Sequence, residues 1–249
     1  MNDSRAQGTT PPGARSEPET ARWVRGMFGR VARRYDLLNH LLSLNIDRHW
    51  RARTVRRLRP ILKRPSALVL DICCGTGDLL LALEAEHGGA VLGSDFCHPM
   101  LIQAQRKIAR RRSRSVLVEA DALSLPFPDG SLDLVTAAFG FRNLANYEKG
   151  LAEMRRVLKP GGAAAILEFS QPKNPFFAAL YRFYSNRALP AIGGLISGDR
   201  NAYRYLPESV RRFPSPEGLA AAMRAAGFAR VQYERMTGGI VALHVGYQL

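Results

Sequence analysis

The sequence predicts an α/β fold: a doubly wound, mainly parallel seven-stranded sheet with an antiparallel C-terminal edge and an N-terminal helical cap. Three observations carry this. Short apolar runs alternate with amphipathic helical patterns from about residue 67 to residue 169, as parallel strands joined by crossover helices require. The first of those runs ends in a turn of small residues containing Gly75 and Gly77, where a helix opens. The last two strand patterns follow each other with no helix between them, so they read as an antiparallel pair.

Taken in order, residues 1–20 carry Asn, Asp, Ser, Gln, Thr and a Pro-Pro-Gly run, with no large apolar residue after Met1. Such a stretch buries too little surface to offset the entropy of ordering and is read as a disordered tail. Residues 21–249 are read as one domain. A helix is expected from Ala21 to Arg34, where Trp23, Val24, Met27, Phe28 and Val31 recur at helical spacing. A second runs from Leu37 to Leu62 and breaks near Ser43–Asn45. Both are basic and amphipathic, suited to covering a pocket mouth or lying on a membrane surface. Strands are expected at 67–72, 90–94, 116–119, 132–138 and 163–169, with helices at 77–87, 99–112 and 147–157 between them. The turn Lys159-Pro160-Gly161-Gly162 leads into the fifth strand. An insert at about 172–213, rich in aromatics and Arg, breaks the alternation. A helix from Ser215 to Ala226, with Pro216 in its first turn, then precedes strands at 228–234 and 240–247.

Charge narrows the partners without choosing one. Against 21 acidic residues stand 36 Lys and Arg, a formal +15, concentrated at 48–64, 106–114 and 211–212. Such a field attracts nucleic acid or the anionic face of a membrane, although Arg on solvated helix faces gives the same balance. Cys73, Cys74 and Cys97 are odd in number and lack paired ligand spacing, so neither a disulfide framework nor a metal site is expected. The tail has no apolar core of a secretory signal, and no run approaches the ~18 apolar residues of a spanning helix. These features predict a cytoplasmic chain, able to associate with the inner face of the membrane.

The most informative segment is Val69-Leu70-Asp71-Ile72-Cys73-Cys74-Gly75-Thr76-Gly77-Asp78. Gly75 and Gly77 allow backbone dihedrals and close ligand approach that other residues resist, at the strand ends where open α/β sheets bind ligands. A dinucleotide loop would need a third glycine at position 80, which is Leu80. Asp71 and Asp78 would repel a diphosphate and suit a ligand carrying an ammonium and a sulfonium. Asp95 closes the second strand, placed to accept both ribose hydroxyls, and Asp121-Ala122 follows the third, beside an adenine. The plainer alternative is an ordinary turn with solvated caps; three acidic residues after three consecutive strands speak against it.

On these residues the chain resembles the class I S-adenosylmethionine-dependent methyltransferases, with Cys73 in place of the first glycine of their acidic-x-Gly-x-Gly-x-Gly motif. The resemblance implies that Asp71, Gly75, Thr76 and Gly77 hold the methionine end of S-adenosylmethionine, Asp95 the ribose, and Asp121 and Ala122 the adenine. Ala138 takes a position where relatives offer a serine. Two further segments resemble the ubiquinone/menaquinone biosynthesis C-methyltransferase family: Tyr35-Asp36-Leu37-Leu38-Asn39-His40-Leu41-Leu42-Ser43, and Arg156–Gly162 followed by Leu167-Glu168-Phe169-Ser170. Phe139-Gly140-Phe141-Arg142-Asn143, Ser197–Arg212 and Gly238–His244 are also similar. Departures are Leu38 for Met and Asp47 for His.

This family resemblance implies C-methylation of a lipophilic prenylated quinol, with demethylmenaquinol ahead of a 2-polyprenyl-benzoquinol. Such chemistry needs electron density on the ring, supplied by ionising a quinol hydroxyl, and a route for the ring proton. Arg142 stays protonated, so it would stabilise the phenolate or orient a water. Tyr35 and Asn143 would hydrogen-bond ring oxygens, and Asp36 would position Arg142; helix packing for Tyr35 and a turn role for Asn143 are the plainer readings. Residues 21–64 and the insert would form the substrate cover, with Phe176, Phe177, Tyr181, Phe183 and Tyr184 lining a channel for the prenyl tail. Peripheral contact with an anionic membrane is compatible with this, as is an oligomer. No specific nucleic acid is expected: an RNA amino-methylating enzyme would carry Asp/Asn-Pro-Pro-aromatic where Phe139–Asn143 stands, and a cytosine C5 enzyme a Pro-Cys nucleophile.

Overall fold

The computed structural model describes residues 8–184 and 200–249. Its sheet has seven strands: β1 Val69–Ile72, β2 Leu92–Asp95, β3 Val116–Glu119, β4 Leu132–Ala138, β5 Leu158–Phe169, β6 Arg230–Met236 and β7 Val241–Tyr247. Their order is β3-β2-β1-β4-β5-β7-β6. Neighbours from β3 through β5 are parallel, and β7 runs antiparallel between β5 and β6. The fold class is the expected one. The chain leaves β1 toward β2 and β3, then returns to place β4 on the other side, so the crevice opens where β1 and β4 part.

Both sheet faces are buried, which is why the central strands read as apolar runs. Along β5 the alternation is strict. Ala163, Ala165 and Leu167 pack with Leu58 and Leu62 of helix α3 (Ile46–Leu62) and Leu80 and Leu83 of helix α4 (Asp78–His87). Ala164 and Ile166 pack with Leu151 and Met154 of helix α6 (Tyr147–Val157) and Leu219 and Met223 of helix α9 (Pro216–Ala225). Helix α5, His98–Arg111, lies between β2 and β3 in sequence.

Several boundaries differ from expectation for identifiable reasons. Helix α1 is Glu17–Val31, starting before Ala21, because Ser16 caps it by accepting from the Glu19 N–H, Pro18 sits in the first turn, and Glu17 and Glu19 suit the N-terminal dipole. The expected disordered tail to residue 20 is therefore too long. Thr9 is buried, its N–H donates to the Leu144 carbonyl at 2.8 Å, and its hydroxyl lies 2.9 Å from that of Tyr205. Residues 1–7 of that tail lie outside the described residues. The break at Ser43–Asn45 is where expected: Leu44 and Asn45 take φ of 52° and 61°, separating α2 (Tyr35–Leu42) from α3. The Lys159–Gly162 turn lies within β5, where pairing jumps from Leu132↔Leu158 to Leu134↔Ala163 and bulges the strand. In the insert, α7 is Pro175–Phe183 and α8 is Arg200–Arg212; residues 185–199, including part of the Ser197–Arg212 motif, lie outside the described residues.

Candidate functional site

The turn after β1 reverses the chain through three left-handed residues, Cys73 (φ 50°), Gly75 (φ 56°) and Gly77 (φ 85°). Nothing lies within 4 Å of where a Cβ on Gly75 would stand, so a ligand atom can approach that backbone. Asp95, at the end of β2, is braced on both oxygens: Oδ2 accepts from the Gly75 N–H and Oδ1 from the Cys97 N–H, each at 2.9 Å. Burial pushes its pKa up to about 6, against the pull of these N–H groups. A cavity at this point is lined by Gly75, Asp95, Asp121, Ala122, Ala138, Asn143 and Tyr35. The ends of β1, β2, β3 and β4 thus contribute to one space. Asp121 is exposed and accepts the Leu123 N–H at 2.9 Å.

The ends of β1 and β4 cross closely. Phe139 follows β4 at φ 58°, and a Cβ on Gly140 would stand 2.4 Å from the Cys73 Cβ. Only glycine fits there, which fixes both loops at the cavity floor. The Cys73 and Cys74 thiols are held well above their ordinary range by burial, then by the charges of Asp95 and Asp71, so they serve as small fillers rather than nucleophiles.

Other expected ligand residues lie behind the wall. Asp71 is 1% exposed and accepts from the Thr136 hydroxyl at 2.6 Å; burial lifts its pKa to about 7. Thr76 is buried and donates to Asp36 at 2.5 Å. Gly77 caps α4. Asp78, expected to face a cationic ligand, instead meets Lys107 at 2.6 Å and Arg51 at 3.7 Å. Lys107 also binds Asp36 at 2.6 Å, and His40 donates to Asp47 at 2.9 Å. This network ties α2 and α3 to the glycine turn and to α5. His40, Asp47 and Asp78 bring ligand-type atoms together, but Arg51 and Lys107 already supply the countercharge.

Arg142 and Asn143 form a short 3-10 turn after β4. Arg142 is 5% exposed and does not line the cavity. Its Nη1 donates to Glu168 at 2.9 Å and to the Phe139 carbonyl, and Nε donates to Ser209 at 3.3 Å. Burial works against its charge, but Glu168 and then the Tyr35 and Tyr205 oxygens outweigh it and hold the pKa above the ordinary value. The partner of Arg142 is therefore Glu168 and not Asp36, whose carboxylate is engaged by Thr76 and Lys107. Asn143 accepts from the Tyr205 hydroxyl at 3.1 Å. Its Nδ2 is buried and has no acceptor among the described residues. Such an orphan donor costs about 1–3 kcal/mol unless a ligand satisfies it.

Sequence reasoning placed Glu168 and Tyr205 in resembling motifs but gave them no role, and missed Thr9. Glu168 had a signal, an acidic residue at the inner end of an otherwise apolar strand; Thr9 had none. Of the ring-bearing insert, Tyr181 is half-buried, its pKa pushed up to about 12 by burial. Phe176 and Phe183 are 81% and 65% exposed, so they do not line an enclosed channel. The side chain of Phe177 lies outside the described residues.

Comparison with known proteins identifies the family. A family model described as the ubiE/COQ5 methyltransferase family matches residues 15–248. A demethylmenaquinone methyltransferase of Thermus thermophilus is 53% identical over 221 residues, 88% of this chain and 99% of that one. A ubiquinone/menaquinone biosynthesis C-methyltransferase of Syntrophotalea carbinolica is 46% identical over 224 residues, 90% of this chain and 93% of that one. Among solved structures, a SAM-dependent methyltransferase from Thermotoga maritima superposes with a TM-score of 0.63 at 18% identity, covering 90% of this chain and 99% of that chain. At that identity the likeness speaks to the fold alone.

Proposed function

Because the chain belongs to the ubiE/COQ5 methyltransferase family, we propose that it transfers the methyl group of S-adenosylmethionine to a ring carbon of a prenylated quinol, with demethylmenaquinol as the natural substrate. One observation carries the reading. The cavity that presents the Asp95 carboxylate also has in its wall Asn143, whose Nδ2 is a buried donor awaiting an acceptor. The names of the two relatives support the substrate class, and the name of the Thermus relative supports the naphthoquinol.

The residues fit S-adenosylmethionine. Asp95, pre-set by two backbone N–H groups, accepts from the ribose hydroxyls; Gly75 lets the methionine end approach the backbone; Asp121 and Ala122 flank the adenine, and Ala138 lines the same cavity. Asp71, Thr76 and Gly77 act from behind, holding the shape and charge of the turn. When bound, S-adenosylmethionine supplies an electrophilic methyl group on a sulfonium. The chain's own residues make the ring nucleophilic. Asn143 Nδ2 donates to a ring oxygen, Tyr35 hydrogen-bonds the other side of the quinol, and the fixed charge of Arg142 behind them favours the phenolate. Glu168 keeps Arg142 protonated and aligned. Asp36 supports Tyr35's helix through Lys107 and Thr76.

The test is methyl transfer by purified protein from methyl-labelled S-adenosylmethionine to demethylmenaquinol with a short prenyl tail, the product identified by mass spectrometry. A ring C-methyl product is expected. Faster turnover of the matching benzoquinol would move the substrate to ubiquinone chemistry; no transfer to either quinol would end the proposal.

A further inference from the structure

We propose that the outer face of α2 and its turn into α3 is a docking surface for an anionic lipid bilayer, set against the wall of the cavity. Leu37, Leu41 and Leu44 are 60%, 45% and 75% exposed, and Ile46 beside them is 37% exposed. Leu37 and Leu41, four residues apart, share one face of α2, and Leu44 and Ile46 carry the exposed apolar stripe on through the turn into α3. Single exposed leucines are ordinary; four exposed apolar side chains along one short helix and its turn are a surface awaiting a partner.

The stripe is held outward. Tyr35, on the same helix, lines the cavity; Asp36 is bound by Thr76 and Lys107; His40 is bound by Asp47. Rotating the leucines inward would break each of these contacts. Charge selects the occupant. Arg33 and Arg48, just outside the stripe at either end in sequence, are exposed and without an ion-pair partner among the described residues. The whole chain carries +15. That charge repels a second copy of this chain and attracts anionic headgroups. No helix among the described residues is long and apolar enough to cross a membrane, so the contact is interfacial. Helix α7 repeats the arrangement: Tyr181 is half-buried, while Phe176 and Phe183, seven residues apart, are exposed. The docking surface rests on exposure and charge. Its purpose, drawing a prenylated quinol directly from the bilayer, rests on the function proposed above.

The test is co-sedimentation of the full chain, without quinol, with vesicles of equimolar phosphatidylglycerol and phosphatidylcholine and with vesicles of phosphatidylcholine alone. Binding to the anionic vesicles that weakens with added salt is expected. The variant carrying Leu37→Ser, Leu41→Ser and Leu44→Ser should lose roughly tenfold or more in vesicle partitioning, with its melting temperature and methyl transfer to a short-tailed quinol unchanged. Arg33→Glu with Arg48→Glu should weaken binding to the anionic vesicles alone. The proposal is overturned if the parent ignores anionic vesicles, if the leucine variant binds as the parent does, or if light scattering shows a dimer that the leucine variant abolishes. Vesicle binding by a protein that methylates no quinol would leave the surface standing and remove the proposed reaction; methylation without vesicle binding would do the reverse.

Discussion

At the scale of single residues, the proposed reaction divides the site between holding a cofactor and activating a ring. Asp95 belongs to the first task. Its two oxygens are already oriented by Gly75 and Cys97, so a ribose diol would meet a carboxylate that needs no rearrangement. Replacing it with alanine should weaken S-adenosylmethionine binding by ~10–100-fold in calorimetry, the scale of charge-assisted hydrogen bonds; an unaltered dissociation constant would remove Asp95 from the ribose. Asn143 belongs to the second task. Asn143→Ala should lower kcat by ~10²–10³-fold, as loss of a donor to a developing oxyanion does, while the cofactor dissociation constant stays within about twofold of the parent's. Equal losses in both would make Asn143 a structural residue. The residues that were legible in sequence were those whose chemistry is local: glycines in a turn, and aspartates at strand ends. What escaped was pairing across the fold. Asp36 is the carboxylate expected to position Arg142, yet Glu168 meets it, because β5 lies beside β4 in the sheet while Asp36 is held by Lys107.

At the scale of elements, β3, β4 and α6 stand where periodicity placed them, since both of their ends carry strong signals such as the Asn146 cap. The errors fall where a local signal was absorbed into a neighbouring feature. The Ser16-Glu17-Pro18 helix start was hidden in a polar stretch, and the Lys159–Gly162 turn proved to be a bulge inside β5. Two junctions position the site. At the first, β1 and β4 approach so closely that a methyl group on Gly140 meets Cys73. Gly140→Ala should cost roughly 1–3 kcal/mol in chemical denaturation, the scale of overpacking, and should weaken cofactor binding as the glycine turn shifts. At the second, Lys107 joins Asp36 of α2 to Asp78 of α4. Lys107→Met leaves two carboxylates facing each other without their shared cation. Greater protease sensitivity of residues 35–45 and a raised KM for the quinol, with cofactor affinity less affected, are the expected results; an unchanged digestion pattern would mean that α2 is held by packing alone.

At the scale of the whole molecule, Asp71 and Asp95 make stability depend on pH in a direction opposite to that of the chain's paired acids. Paired acids such as Asp47, Asp78 and Asp133 have lowered pKa values, so their contribution is present above the unfolded value of about 4 and is lost as pH falls. Asp71 and Asp95 are raised by burial to about 7 and about 6. Their folded forms hold protons that the unfolded chain has released, so their contribution is present below about 4 and is lost as pH rises toward 7. His244, buried and lowered to about 4, runs the other way between that value and the unfolded histidine pKa of about 6.5, so the aspartate effect is read as a difference between variants. Asp71→Asn retains an acceptor for the Thr136 hydroxyl and removes the titration. Measured by urea denaturation without cofactor, its stability should gain on the parent's as pH rises from about 5 to about 8, and a difference constant across that range would refute the buried ionisation. Bound S-adenosylmethionine should shrink this gain, because its positive charges favour the ionised aspartates of the parent and find one fewer in the variant. The sheet thus places two costly carboxylates under the glycine turn, where a cationic ligand can recover part of what their burial loses.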